Sequence, residues 1–300
     1  MSNFWSGYII VLVLLNLLGC AVLLFWNSRM SAEEAKRRTT GHVFDGIEEL
    51  NEPLPRWWLW LFVGTLIFSA AYLALYPGMG KYAGLLGWTS QGQWEEEVAF
   101  VERQTAPLFA EYAKVPVEEL YQYPEVKEVG ARLYMQNCAM CHGSDARGAR
   151  GYPNLTDDAW QWGGSAEAIR HSITKGRDAN MPALGAALGE EGTTDMAWYV
   201  ASLSKPELAE REDVAERIER AALRFAMCTA CHGADGTGNT TFGGPDLTDG
   251  TWLYGGRIAD IEQTLRQGRL GKMPAHESIL SAERIHVLTA YIYGLRFDDE

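Results

Sequence analysis

Cys138-Ala-Met-Cys141-His142 and Cys228-Thr-Ala-Cys231-His232 decide how this 300-residue chain is built. Each stretch sets two thiols at Cys-x-x-Cys spacing with an imidazole directly after the second. Thiols so spaced can add to the two vinyl groups on one edge of a porphyrin. The adjoining imidazole then lies under the iron, so the pattern reads as covalent c-type haem attachment. Cys138, Cys141 and His142 would hold one haem c, and Cys228, Cys231 and His232 a second. A Cys-x-x-Cys redox pair and half of a zinc site are the alternatives. Neither accounts for the histidine that follows in both copies. The fifth cysteine, Cys20, stands alone in an apolar run.

Outward from the motifs, the chain is duplicated. GYPNLTDDAWQWGG (151–164) matches GGPDLTDGTWLYGG (243–256) at an offset of 92 residues, while the haem motifs are 90 apart. Periodicity on this scale marks repeated structural units. Each unit has the parts of a small helical haem protein. A helix leads into the motif (125–137 and 214–227), another follows the Gly/Pro-rich loop (165–175 and 257–267), and a last one closes the unit (194–203 and 281–295). The expected fold class is therefore all-α: two N-terminal transmembrane helices, then two tandem class I cytochrome c domains at 125–207 and 208–300.

The sixth iron ligand has to come from across the pocket. Asn180-Met181-Pro-Ala183 and Lys272-Met273-Pro-Ala275 lie in register at the 92-residue offset. A thioether opposite an imidazole gives a low-spin iron at raised potential, suited to electron transfer. Rivals fail the register: His171 aligns with Gln263, Met196 with Leu288 and His276 with Leu184. Met140, between the two cysteines, is on the wrong side. The axial ligands read from the sequence are thus His142, Met181, His232 and Met273. Trp160, Trp162, Trp252 and Tyr254 could donate to haem propionates, with Arg177 or Arg269 pairing with them; aromatic core packing is the alternative. No side chains are arranged for acid–base or nucleophilic catalysis.

Two charge-free runs, FWSGYIIVLVLLNLLGCAVLLFW (4–26) and WWLWLFVGTLIFSAAYLALY (57–76), each approach the ~20 residues that cross a bilayer core. Aromatic residues bracket both, as at membrane interfaces. Leu17-Leu-Gly-Cys20 resembles a lipoprotein cleavage box, but no basic segment precedes it and the apolar run continues to Trp26. A cleaved signal peptide fails for the same reasons. Residues 1–76 therefore read as a helical hairpin. Its loop carries Arg29, Lys36, Arg37, Arg38 and Arg56, whereas Lys81 is the one basic residue in the flank after the second run. Positive charge marks the cytoplasmic side, so both termini and both haem motifs are expected outside, at the periplasmic face of a bacterial inner membrane. Residues 77–124 read as a linker or stalk. There Trp94, Val98, Val101, Leu108, Phe109 and Tyr112 recur at helical spacing, and Pro107 is expected to kink or interrupt the run.

The net charge is −13, and the first 76 residues account for only 5 of 26 basic and 6 of 39 acidic groups, leaving −12 beyond them. A nucleic-acid partner is excluded by that sign. A basic protein partner steered by the acidic field fits it, as does an acidic surface that serves solubility.

With these residues in hand, the chain resembles the di-haem subunit of cbb3-type cytochrome c oxidases, the CcoP/FixP family. The resemblance rests on the paired haem repeats. It rests more specifically on FDGIEELNEPLPRWWLW (44–60) followed by Tyr76-Pro-Gly-Met-Gly80. It implies electron relay from soluble or membrane donor cytochromes c toward a haem–copper subunit that reduces dioxygen, with that subunit and a mono-haem cytochrome c subunit as partners. Two departures stand out. Many relatives have a single span, and Phe225 lies three residues ahead of Cys228 where Tyr134 lies four ahead of Cys138. Competing roles are a di-haem cytochrome serving a nitric-oxide reductase or a dehydrogenase, and a haem gas sensor or peroxidase. The last two need an open iron site.

Overall fold

Both apolar runs fold as the helices that their composition dictates. In the computed structural model, which describes residues 1–29, 39–50 and 54–297, they are α1 (Asn3–Ser28) and α2 (Arg56–Leu75). At ~1.5 Å per residue each is long enough to span a hydrocarbon core. Their side chains are almost entirely uncovered by protein, so neither is the core helix of a soluble domain. The helices lie side by side along a groove lined by Leu12, Leu17, Phe68 and Leu73. The Ser6 hydroxyl accepts from the Lys81 backbone N–H at 2.9 Å, and Lys81 Nζ donates to Asn3 Oδ1 at 2.6 Å. These bonds put the start of α1 and the turn after α2 at one end of the hairpin.

Between the spans, β1 (Thr39–Phe44) and β2 (Ile47–Leu50) pair antiparallel. Asp45 and Gly46 make the turn with φ of 47° and 83°, the conformation for which Asp-Gly is preferred in two-residue hairpins. This ribbon is an addition to the expected all-α fold. Lys36, Arg37 and Arg38 lie outside the described residues.

The chain divides into two compact units, Met1–Gln104 and Thr105–Glu300, and the division falls within α3 (Ser90–Tyr112). α3 continues through Pro107 rather than stopping there; the ring removes one helical N–H donor. The second unit continues with α4 (Val117–Leu120) and the first repeat: α5 (Pro124–Asn137), the single turn α6 (Ala139–His142), α7 (Ala166–Lys175), β3 (Arg177–Met181) and α8 (Gly185–Ser204), broken at Gly189. The second repeat supplies α9 (Ala215–Ala222), a 3-10 turn at Phe225–Met227, α10 (Thr229–His232), α11 (Ile258–Gln267), β4 (Arg269–Met273) and α12 (Ala282–Gly294).

The spans 125–207 and 208–300 mark repeats of sequence, but in space each helical bundle is assembled from both. Tyr134, Ile169 and Ile173 of the first repeat form a core with Leu280, Ile285, Leu288 and Ile292 of the second. Ala221, Phe225, Ile261 and Leu265 of the second repeat form the other core with Leu188, Met196 and Val200 of the first. The last helix of each repeat has changed places with its counterpart.

The exchange runs through β3 and β4, which pair antiparallel with Arg177 opposite Met273, Ala179 opposite Gly271 and Met181 opposite Arg269. Every pair is symmetric under the 92-residue offset, so a pseudo-twofold axis passes between Ala179 and Gly271. Gly176 and Gly268 end α7 and α11 with φ of 73° and 69°. A Cβ on either would lie 2.3 Å from the Met273 carbonyl oxygen or 2.5 Å from that of Met181. Backbone bonds fix the crossing on the far side: Leu184 N–H donates to Leu265 O at 2.8 Å, and His276 N–H to Ile173 O at 3.0 Å. A third apolar cluster joins Phe109, Val117, Leu120 and Val126 to Val287 and Ala290. The end of the stalk segment is therefore packed on the first bundle.

Candidate haem sites

Each Cys-x-x-Cys-His motif follows a helix that stops at its first cysteine. Cys138 ends α5, its N–H donating to Tyr134 O at 2.8 Å, and α6 then presents Cys141 and His142. Tyr134 is buried, lies tilted against Tyr291 with ring centroids 5.7 Å apart, and donates its hydroxyl to Gly143 O at 2.7 Å. The second motif reaches the same geometry by another local route. Cys228 N–H donates to Phe225 O through the 3-10 turn. Three residues per turn in place of 3.6 bring Phe225 to where Tyr134 stands. Phe225 is buried against Tyr199 at 5.1 Å. The shortened spacing thus preserves the packing.

The two imidazoles are held alike. His142 Nδ1 lies 2.9 Å from Pro153 O, and His232 Nδ1 lies 3.0 Å from Pro245 O. A carbonyl only accepts, so Nδ1 carries the proton and Nε2 keeps its lone pair for a metal. Burial lowers the His142 pKa; the Pro153 bond opposes this, and the nearness of His276 adds a smaller lowering. The net result favours the neutral, ligating form.

The thiols do not favour the alternatives to haem. Burial, then the neighbouring Cys141, pushes the Cys138 thiol up to about 11, and burial likewise raises Cys228. A redox-active Cys-x-x-Cys needs the opposite shift. A zinc site needs two further ligands, and among the described residues no three His, Cys, Asp or Glu side chains converge.

Haem fits what remains. Trp160 Nε1, Arg269 Nη2 and His276 Nδ1 are buried without hydrogen-bond partners, an arrangement that costs stability unless a polar group fills it. Trp160 packs against the first core. Arg177 and Arg269 lie over Trp162 and Tyr254, with guanidinium carbons 4.7 and 4.5 Å from the ring centres. The tryptophan and arginine singled out for propionates are thus among the orphaned donors.

Met140 is 97% exposed and turned away from both cores. Met273 packs against the core containing Cys138, and Met181 against the one containing Cys228. The structure therefore brings Met273 to His142's side and Met181 to His232's side. His276, set aside in the sequence because Leu184 occupies the matching place, is 8% exposed and beside His142. That mismatch was the available signal that the two pockets differ.

Comparison with known proteins agrees with this geometry. A family model described as cytochrome c oxidase, cbb3-type, subunit III matches residues 125–200 and again 216–292. Another, the N-terminal domain of cytochrome oxidase-cbb3, FixP, matches 36–83. The cbb3-type oxidase subunit CcoP of Rubrivivax gelatinosus is 44% identical over 301 residues, covering 98% of this chain and 97% of that one. Subunit FixP of Azorhizobium caulinodans is 41% identical over 273 residues (86% and 92%), and CcoP of Cereibacter sphaeroides 34% over 290 (89% and 99%). An alignment covering 98% of the chain leaves too few residues over to omit α1, so α1 lies within the stretch matched to the Rubrivivax protein. Matched along nearly its whole length, the chain belongs to the CcoP/FixP family, the membrane-anchored cytochrome c subunit III of cbb3-type cytochrome c oxidases.

Proposed function

We propose that this subunit relays electrons from donor cytochromes through two c-type haems toward the dioxygen-reducing subunit of its oxidase. The observation that carries this reading is the twofold recurrence of one complete ligand set. Two Cys-x-x-Cys-His motifs each have the imidazole oriented by a proline carbonyl, and each has a Met-Pro loop against the same core. Bound there, haem c supplies a one-electron ferric/ferrous couple. Cys138, Cys141, Cys228 and Cys231 hold it covalently. His142 and His232 present Nε2, and Met181 and Met273 supply thioethers that favour the ferrous state. Both termini and both haem bundles are placed at the periplasmic face, a reading supported by the basic α1–α2 loop and by the Ser6–Lys81 and Asn3–Lys81 bonds.

Haem content tests the reading directly. Denatured protein on a gel is expected to keep peroxidase-type haem stain, because thioether bonds survive denaturation. Changing Cys138 and Cys141 together to Ala is expected to halve the haem per chain; one haem or none in the unaltered protein would defeat the two-haem reading. A reporter active only in the periplasm is expected to work after Lys81 and at the C-terminus and to be silent near Arg38. Activity near Arg38 would reverse the orientation.

A further inference from the structure

We propose that residues 82–94 make a second contact with the membrane: the chain turns back after α2 and seats Leu85 and Leu86 among the lipids of the leaflet shared by the start of α1 and the end of α2. The sequence permits it, since no residue between Lys81 and Glu95 carries a charge. Backbone bonds then fix the depth. Leu85 N–H donates to Ala74 O and Leu86 N–H to Leu75 O, both at 3.0 Å, and the Tyr82 hydroxyl donates to Ala74 O at 2.9 Å. Ala74 and Leu75 close the apolar span. The loop has therefore returned to the level of the helix's last turn. The last carbonyls of a helix lack intrahelical donors, and where water is scarce such groups must find protein partners. At the end of α2 the loop supplies them.

The side chains of the loop point the same way. Leu85 is 76% exposed and Leu86 58%, and Trp88 and Trp94 are also open. Two adjacent leucines so bare are a poor match for water. They continue the uncovered apolar surface of α2, whose surroundings are lipid, and that continuity names lipid as the occupant. The loop is built rather than loose. Gly84 has a φ of 72°, and a Cβ there would run into the Leu75 carbonyl oxygen. Trp88 lies edge-on to Tyr76 with ring centroids 5.8 Å apart, and its Nε1 donates to Gln93 Oε1 at 3.0 Å. An apolar ring with its N–H turned to a polar neighbour is the usual posture of an interfacial tryptophan. Charge resumes at once in Glu95, Glu96 and Glu97. The contact is thus hydrophobic, and α3 leaves the interface within its first turns.

The intact oxidase in phosphatidylethanolamine–phosphatidylglycerol nanodiscs tests this, with an environment-sensitive fluorescent amino acid encoded at Leu85 or Leu86. Haem stain and subunit content show that each variant is assembled. Phospholipid carrying a nitroxide near its headgroup is expected to remove most of the emission at both positions, and aqueous iodide to leave it nearly unchanged. Quenching by iodide instead would put the loop in water. Indifference to both quenchers would bury it against another subunit. Either result overturns the proposal. A second measurement leaves the sequence untouched: a phospholipid with a photoactivatable carbene precursor high on its acyl chain is expected to label the 82–94 peptide along with α2. Labelling of α2 without that peptide would also overturn it.

Discussion

At the scale of single residues, Gly130 shows how closely the exchanged helix is fitted. A Cβ there would lie 2.4 Å from Cβ of Tyr291 on α12. On an exposed helix Gly→Ala gains about 1 kcal/mol, but overpacking of a tight contact costs about 1–3 kcal/mol. Gly130→Ala is therefore expected to lower stability in denaturant titration and to perturb the first haem's spectrum. Asp195→Ala, which takes the buried acceptor from Arg217 and Arg220 of α9, is expected to cost about 1–2 kcal/mol, less than a fully buried pair would, because both arginines are half-exposed and regain water. Asp260 gives a pH signature. The hydrogen bond from Arg257, and after it Arg150, holds its carboxyl at about 2. A pKa depressed in the folded state adds stability that is present above the unfolded value of ~3.9 and is lost as pH falls through that of the fold. Thermal midpoints of the native protein should thus fall between about pH 4 and 2 more steeply than those of Asp260→Asn.

At the scale of elements, helix boundaries were legible wherever a side chain ends or begins the helix. Ser165 and Ser281 accept from Ala168 and Arg284 backbone N–H at 3.2 and 3.4 Å, and both helices begin one residue later, as expected of N-caps. The proposed haem ligands come from the sequence because covalent attachment and iron coordination demand fixed residue types at fixed spacing. The β1–β2 ribbon was legible in Asp45-Gly46 but was read only as part of a family segment. The crossing was hidden for a physical reason. Two repeats of one fold offer every last helix two nearly equivalent seats, and register alone assigns ligands without saying which seat is taken. The distinguishing residues, Asp195 where α12 has Val287 and Arg217 where α5 has Val126, are legible only once helices are placed side by side. The ribbon itself makes a prediction. Gly268→Val would force a β-branched residue into positive φ and into the Met181 carbonyl. Optical titration is expected to show loss of methionine ligation at one haem with both thioether attachments retained.

At the scale of the whole molecule, the charge beyond residue 76 is −12. If a basic cytochrome delivers electrons there, its bimolecular rate should fall as salt rises, since screening shortens the reach of the field to ~8 Å at 0.15 M. Stopped-flow reduction across a salt series checks this; a flat response would point to an apolar dock or a membrane-bound donor. The exchanged helices also set a timetable for assembly. Synthesis delivers Cys138 and Cys141 well before α12, the helix that closes over them. At ~5–20 residues per second that interval is on the order of 7–30 seconds. Throughout it the first motif lies uncovered by its own lid, open to the machinery that joins thiols to porphyrin. α8, by contrast, is already waiting when Cys228 and Cys231 emerge. The motif made first is the one whose pocket shuts last.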